Sequence, residues 1–246
     1  MHRYHILVEY VGTRFHGWQI QSNGKTIQKT IEQIIKKIIK EKIKLIGSGR
    51  TDSGVHAFGQ SAHFDCKKKI ENLDKFLKSI NYFLNDYLIS ILTIKKKNFN
   101  FHARYSAKMR IYKYIIFNRK SKPSIYKERG WHISSELDIS LMRKGAKKLL
   151  GTNDYSTFRS ASCNAKSPIK LIHSIQISKA KNVIHIKFKS QSFLQQQVRS
   201  MVGCLKYLGE GKWNLKKFIK VFRAKKRILC APPAPPNGLY LEKVIY

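Results

Sequence analysis

Two hydrophobic periodicities alternate along this chain, and their order limits what it can fold into. In the opening RYHILVEYVG, Tyr4, Ile6, Val8 and Tyr10 recur at every second position, the mark of a half-buried strand that Gly12 ends. After a polar loop, Thr26 is suited to cap a helix start, and the isoleucines at 27, 31, 34, 35, 38 and 39 share one helical face. KLIGSGRTDSGVHAFGQSAHFDC then reads as a short strand, a glycine-studded loop and a second strand with Ala62 and Phe64 on one face. A helix over 73–84 and a strand over 88–96 complete the order strand, helix, strand, strand, helix, strand.

The second half repeats the theme: strand AKMRIYKYIIFN, helix DISLMRKGAKKLL, strands IKLIHSIQIS and NVIHIKFKS, helix SFLQQQVRSMVGCLKYLGEG and a further helix over 215–223. Proline-rich APPAPPNG stops any helix before a final strand, LYLEKVIY. We therefore expect an α+β chain of two similar ferredoxin-like halves, residues 1–104 and 105–246, whose strands form a central, mostly antiparallel sheet with a basic cleft.

Charge narrows the partners. The chain carries 49 Lys+Arg against 14 Asp+Glu, a formal net charge of +35. Such an excess favours a polyanion, through phosphate neutralisation and counterion release, although isoleucine–lysine runs such as IIKKIIKEKIK are also what solvated helix faces look like. No stretch approaches the roughly 20 apolar residues of a membrane span, and MHRYHILVEY has no secretory signal pattern, so the expected location is cytoplasmic. Cys66, Cys163, Cys204 and Cys230 form no C-x-x-C pair; they read as reduced thiols, with no metal expected.

The densest chemistry lies in GSGRTDSGVHAFGQSAHFD, residues 47–65. Gly47, Gly49, Gly54 and Gly59 permit tight turns and close approach of a ligand, and Arg50, Asp52 and His56 sit among them. An isolated G-x-R-x-D also fits a hairpin whose aspartate caps its own backbone, and the string lacks the lysine and hydroxyl residue of a phosphate-binding P-loop. Spacing alone leaves both readings open.

The same string resembles the signature of the transfer RNA pseudouridine synthase A family, G-R-T-D-x-G-V-H-A followed by G-Q and H-F. The likeness extends to LVEYVGTRFHGWQIQ, FHARYSAKMRIYKYII, LLGTNDYSTFRS, FLQQQVRSMVG and APPNGLYLEKVIY, ordered along nearly the whole chain. It implies the pseudouridine synthase fold with RRM-like halves, and a cofactor-free isomerisation of uridine in the anticodon arm of transfer RNA, at positions 38, 39 and 40. Asp52 matches the family's catalytic carboxylate, Arg199 the arginine that pairs with it, and Tyr112 the active-site tyrosine that stacks on the target base. Tyr114, two residues on and on the same strand face, is the competing tyrosine. Arg50 matches the residue that holds the target nucleotide out of the stack, with His56 and Arg110 placed beside it as RNA-contacting groups. Gln197 and Ser200 stand where the family more often has methionine and asparagine. A homodimer with transfer RNA across both subunits is also implied.

Two other readings compete. A basic RNA-binding protein without catalysis would need only the charge, and an RNA nuclease would use His16, His56, His63 or His102 as acid and base.

Overall fold

The computed structural model describes residues 1–246, which form ten strands and five helices of α+β type. No helix is long and apolar enough to cross a membrane. The chain divides into two compact units, residues 1–108 with 241–246, and residues 109–240. The division thus falls four residues beyond the expected 104/105 boundary. The last six residues, expected with the second half, group with the first.

In the first unit, β1 (His2–Tyr10) runs antiparallel to both β3 (His56–Cys66) and β4 (Ile89–Lys97), and β2 (Ile46–Gly47) pairs with β3. The inward face of β1 carries Tyr4, Ile6, Val8 and Tyr10, none more than 2% exposed. Helix α1 (Ile27–Ile39) buries Ile27, Ile31, Ile34 and Ile35 along one stripe, while Lys36 and Lys37 face water. Each fully buried isoleucine contributes about 2 kcal/mol. Thr26 caps the helix, its hydroxyl accepting the Lys29 N–H, and Lys40 ends it in the left-handed region at φ 59°. Helix α2 (Leu73–Leu84), capped by Asn72, packs on α1 and β4.

The opposite face of this sheet is polar and carries the loop after β4. Arg3 binds Asp65 through both carboxylate oxygens and also donates to the Phe99 and Phe101 carbonyls. His5 Nε2 lies 2.7 Å from Ser61 Oγ, which also meets the Tyr246 hydroxyl. That hydroxyl donates to the Ala103 carbonyl at 2.9 Å. Tyr246 thereby ties the end of the sequence into the first unit.

The second unit repeats the plan. Strand β5 (Met109–Asn118) runs antiparallel to β9 (Val183–Ser190), β9 to β8 (Ile169–Ala180), and β8 to the short β7 (Gly151–Asp154). A three-residue strand, β6 (Trp131–Ile133), pairs parallel with β5. Helix α3 (Ile139–Lys147), capped by Asp138, packs on β8 and on α4 (Gln197–Gly209), and α5 (Leu215–Arg223) packs on both helices. The order β5, α3, β8, β9, α4 matches β1, α1, β2, β3, α2, with equivalent neighbours in the sheets. Strand β10 (Leu239–Ile245) follows; its residues from Leu241 on belong to the first unit, where the Ile245 carbonyl accepts the Lys108 N–H.

Candidate active site

The loop between β2 and β3 is irregular in outline but closely held. Its entrance is fastened by Gln60, which is fully buried: its side-chain oxygen accepts the Ser48 hydroxyl and its amide donates to the Gly49 carbonyl, both at 2.8 Å. Thr51 is buried, its hydroxyl 2.8 Å from that of Tyr10 and its carbonyl accepting the Trp18 N–H. Asp52 follows, partly exposed, and its carbonyl accepts the Val55 N–H to close a turn. Gly54 occupies the position of that turn with φ +78°, a conformation that side-chain-bearing residues disfavour.

Residues 12–18 form the cradle beneath the loop. The Phe15 carbonyl accepts from both the Ser53 hydroxyl and the Gly54 N–H. Gly17, at φ +91°, lies so close that a Cβ there would stand 2.6 Å from the Thr51 carbonyl oxygen, and one on Gly12 would fall on the Val55 carbonyl. The Trp18 indole lies flush against Gly47, leaving no space for a side chain there. These contacts fix the backbone on both sides of Asp52, so its carboxylate is presented from a rigid support.

The other loop residues are placed differently. Arg50 is exposed. His56 opens β3 and is 1% exposed; its Nδ1 accepts the Gly12 N–H at 3.1 Å, which leaves that nitrogen unprotonated and the ring proton on Nε2. Among the other histidines, His16 is exposed and its backbone N–H bonds the Lys25 carbonyl. His63 is buried with Nδ1 accepting the Ala103 N–H, and burial pushes its pKa down to about 4. His102 uses Nδ1 to receive the Arg104 and Tyr105 N–H groups, and burial lowers its pKa as well. The last two are neutral structural groups.

In the second unit, Tyr112 and Tyr114 lie on the same face of β5 but in different surroundings. Tyr114 is fully buried, donates its hydroxyl to the Pro235 carbonyl at 2.8 Å, and has its ring packed against Gly238. Burial raises its pKa well above the ordinary phenol value. Tyr112 sits opposite Phe188 in the sheet, is 8% exposed, and meets Phe193 edge to face at 5.3 Å between ring centres. Arg110, two residues earlier, donates to the Gln191 carbonyl.

Arg199 lies in the first turn of α4. The helix starts abruptly: Gln196 precedes it in the left-handed region at φ 61°, and the buried Gln197 side chain accepts the Leu194 N–H at 2.8 Å. A strap of residues 231–235 clasps Arg199, whose Nε donates to the Ala234 carbonyl at 2.7 Å while its own carbonyl accepts the Ala234 N–H at 2.9 Å. The two departures from the resembled pattern have local roles, since Ser200 receives a hydrogen bond from Arg227 at 2.7 Å. In the sequence Tyr10 stands out only as a core position of the first strand, and Thr51, Gln60 and Gly17 carry no sign of supporting Asp52. Beyond that, their signal was the likeness carried by LVEYVGTRFHGWQIQ and GRTDSGVHAFGQSAHFD.

A family model described as tRNA pseudouridine synthase matches residues 6–106 and 146–246, well over half of the chain. Proteins named tRNA pseudouridine synthase A are similar along their full lengths, each aligned over 246 residues that make up 100% of both chains. The one from Pelagibacter ubique (strain HTCC1062) is 70% identical, that from Parvibaculum lavamentivorans 40% and that from Afipia carboxidovorans 38%.

Proposed function

This chain belongs to the tRNA pseudouridine synthase family, and from that premise we propose that it isomerises uridine to pseudouridine in the anticodon arm of transfer RNA, with Asp52 as the catalytic carboxylate. The bond between uracil N1 and the ribose is broken, the base turns, and a carbon–carbon bond to the ribose replaces it. No atom is gained or lost, so the reaction needs neither redox partner nor cosubstrate. The observation that carries the reading is Asp52 itself, partly open to solvent on a loop whose backbone is fixed on both sides.

An aspartate is ionised at neutral pH unless burial against substrate raises its pKa, so the working carboxylate needs a cation. Arg199 fills that role, and what supports it is the two-way clasp to Ala234, which orders the side chain in advance. Tyr112 stacks on the target base. Its support is negative as well as positive: Tyr114 is committed to Pro235 and the core, whereas Tyr112 retains some exposure beside Phe193. Arg50 and Arg110 serve the extruded nucleotide and its phosphates, Arg50 from an exposed position on the loop of Asp52 itself, whereas His56, almost fully buried and accepting the Gly12 N–H, supports that loop from beneath.

The net charge of +35 supports recognition of RNA through shape and phosphates. We place the protein in the cytoplasm as a homodimer with transfer RNA across both subunits, the arrangement that the family likeness implies. Light scattering of purified protein tests the dimer.

The decisive experiment compares wild type with Asp52→Asn on transfer RNA, mapping pseudouridine by position and measuring affinity in parallel. The expected result is product confined to the anticodon arm for wild type, none for the variant, and similar affinity for both. Binding by both proteins without product would favour a non-catalytic RNA-binding role; strand cleavage would favour a nuclease.

A further inference from the structure

Cys204 lies on α4, about a turn and a half beyond Arg199, and its sulfur is 3.5 Å from that of Cys230. Both are free thiols; Cys204 is buried and Cys230 partly reaches solvent. Cys230 immediately precedes the strap of residues 231–235. The strap is packed tightly on α4: a Cβ on Gly203, the neighbour of Cys204, would fall on the Pro232 carbonyl oxygen.

The two sulfurs share one hydrogen bond. The bond to Cys230 and burial push the Cys204 thiol pKa up. The same bond holds Cys230 below the ordinary thiol range, with the nearby charge of Arg227 adding to the effect. The solvent-reaching sulfur is thus the better nucleophile, with the buried thiol poised behind it.

We propose that Cys204 and Cys230 form a dithiol site that reacts with hydroperoxides and closes to a disulfide, shifting the strap that clasps Arg199. The Cys230 thiolate attacks one peroxide oxygen and the O–O bond breaks, leaving a sulfenic acid and an alkoxide or hydroxide that takes a proton from water. The Cys204 sulfur then attacks the sulfenic sulfur; the S–S bond forms, and the hydroxyl leaves with the thiol proton as water. Two thiols are oxidised and one hydroperoxide is reduced. A disulfide needs about 2.05 Å between sulfurs, so the pair must close by roughly 1.5 Å, and the strap moves with Cys230. A displacement of that size at a group that positions a reactant can cost roughly a hundredfold in rate.

The effect on catalysis rests on the role assigned to Arg199; the dithiol chemistry does not. Reduced full-length protein is treated with stoichiometric hydrogen peroxide, then examined by peptide mapping and thiol titration. The expected result is a loss of two hydrogens, a Cys204 peptide joined to a Cys230 peptide, and free thiols falling from four to two. Pseudouridine formation should drop at least about tenfold and return with dithiothreitol. In Cys204→Ala, Cys230 should instead be trapped as sulfenic acid by dimedone; if that variant does not fold, the wild-type map decides. Thiols that stay at four, or oxidation spread evenly over Cys66 and Cys163, overturn the proposal. A disulfide that forms with turnover unchanged overturns its coupling to Arg199. Reduced protein that makes no pseudouridine at all would count against the reading of the active site and leave the dithiol standing.

Discussion

Asp52 and Arg199 are held in place by opposite means. Asp52 sits on a loop with almost no apolar anchoring of its own, fixed by main-chain hydrogen bonds and by glycines that let residues 12–18 press against it. Arg199 sits on a helix with ten of its thirteen residues buried, enclosed by α3, α5 and the 231–235 strap. Helix α2, its counterpart by chain order in the other half, buries only three of twelve and is capped by Asn72. The same strand–helix plan therefore supports a proposed site residue in two ways. Where the group must stand clear of the core, hydrogen bonds fix a loop; where it can grow out of the core, packing fixes a helix.

This contrast predicts different failures. The largest effect is expected from Arg199→Ala, with kcat falling about a hundredfold or more if, as proposed, Arg199 supplies the cation for Asp52. The acid limb of the pH–rate profile should also move to higher pH, because an unassisted carboxyl keeps its proton longer; an unchanged limb would break the assignment. Next come the two supports. Gly17→Ala forces an alanine to φ +91° with its Cβ 2.6 Å from the Thr51 oxygen, costing about 3 kcal/mol. Gly203→Ala drives a methyl group onto the Pro232 carbonyl at a similar cost. Urea denaturation measures the cost; the comparison fails if either substitution lowers kcat no more than a surface change such as Lys216→Ala.

A smaller effect concerns pH. Burial pushes His5 and His63 down to about 4, with neighbouring positive charges adding to it. Both rings are therefore neutral in the folded chain, while the unfolded chain protonates them near the ordinary value of 6.5. Between those values the unfolded state binds more protons, so the stability these two rings contribute should fall as pH drops from 6.5 and be gone below about 4. Water still reaches His5, so roughly 1 kcal/mol per ring is a fair expectation. Urea midpoints that do not change between pH 7 and 5 would contradict it. The smallest difference separates the tyrosines: Tyr114→Phe should cost about 1 kcal/mol by leaving the Pro235 carbonyl unpaired with kcat barely altered, whereas Tyr112→Leu, which removes the ring proposed to stack on the base, should lower kcat more than stability. Equal effects on stability and turnover in both variants would erase the distinction.

Much of the fold was legible because local pattern and tertiary demand agree. The isoleucine stripe, Thr26 and the two-residue alternation of β1 locate α1 and β1 to within about three residues of where they lie, and α2 and α5 match their expected spans. Helix α4 begins five residues later than its apolar pattern suggests, because Gln196 adopts a left-handed conformation and Gln197 turns back to cap Leu194. Strands β6 and β7 escaped notice since three or four residues carry no period, and only pairing with β5 and β8 makes them strands. At the candidate site the residue types were readable from a long ordered string, but the cradle was not. Nothing near Gly12 or Gly17 in sequence shows that residues 51–55 will press on them, nor does MRIYKYII say which tyrosine Pro235 will claim.

The return of residues 241–246 to the first unit carries a consequence for synthesis on the ribosome. More than half the chain is made between Lys108 and Leu241, so the hydroxyl of Tyr246 that bridges Ser61 and Ala103 arrives long after its partners. The first half must wait, incomplete, while the second is translated and folds. A fusion that encumbers Tyr246 would therefore be felt at the loop it fastens, residues 99–106, on the far side of the sequence from the fusion itself.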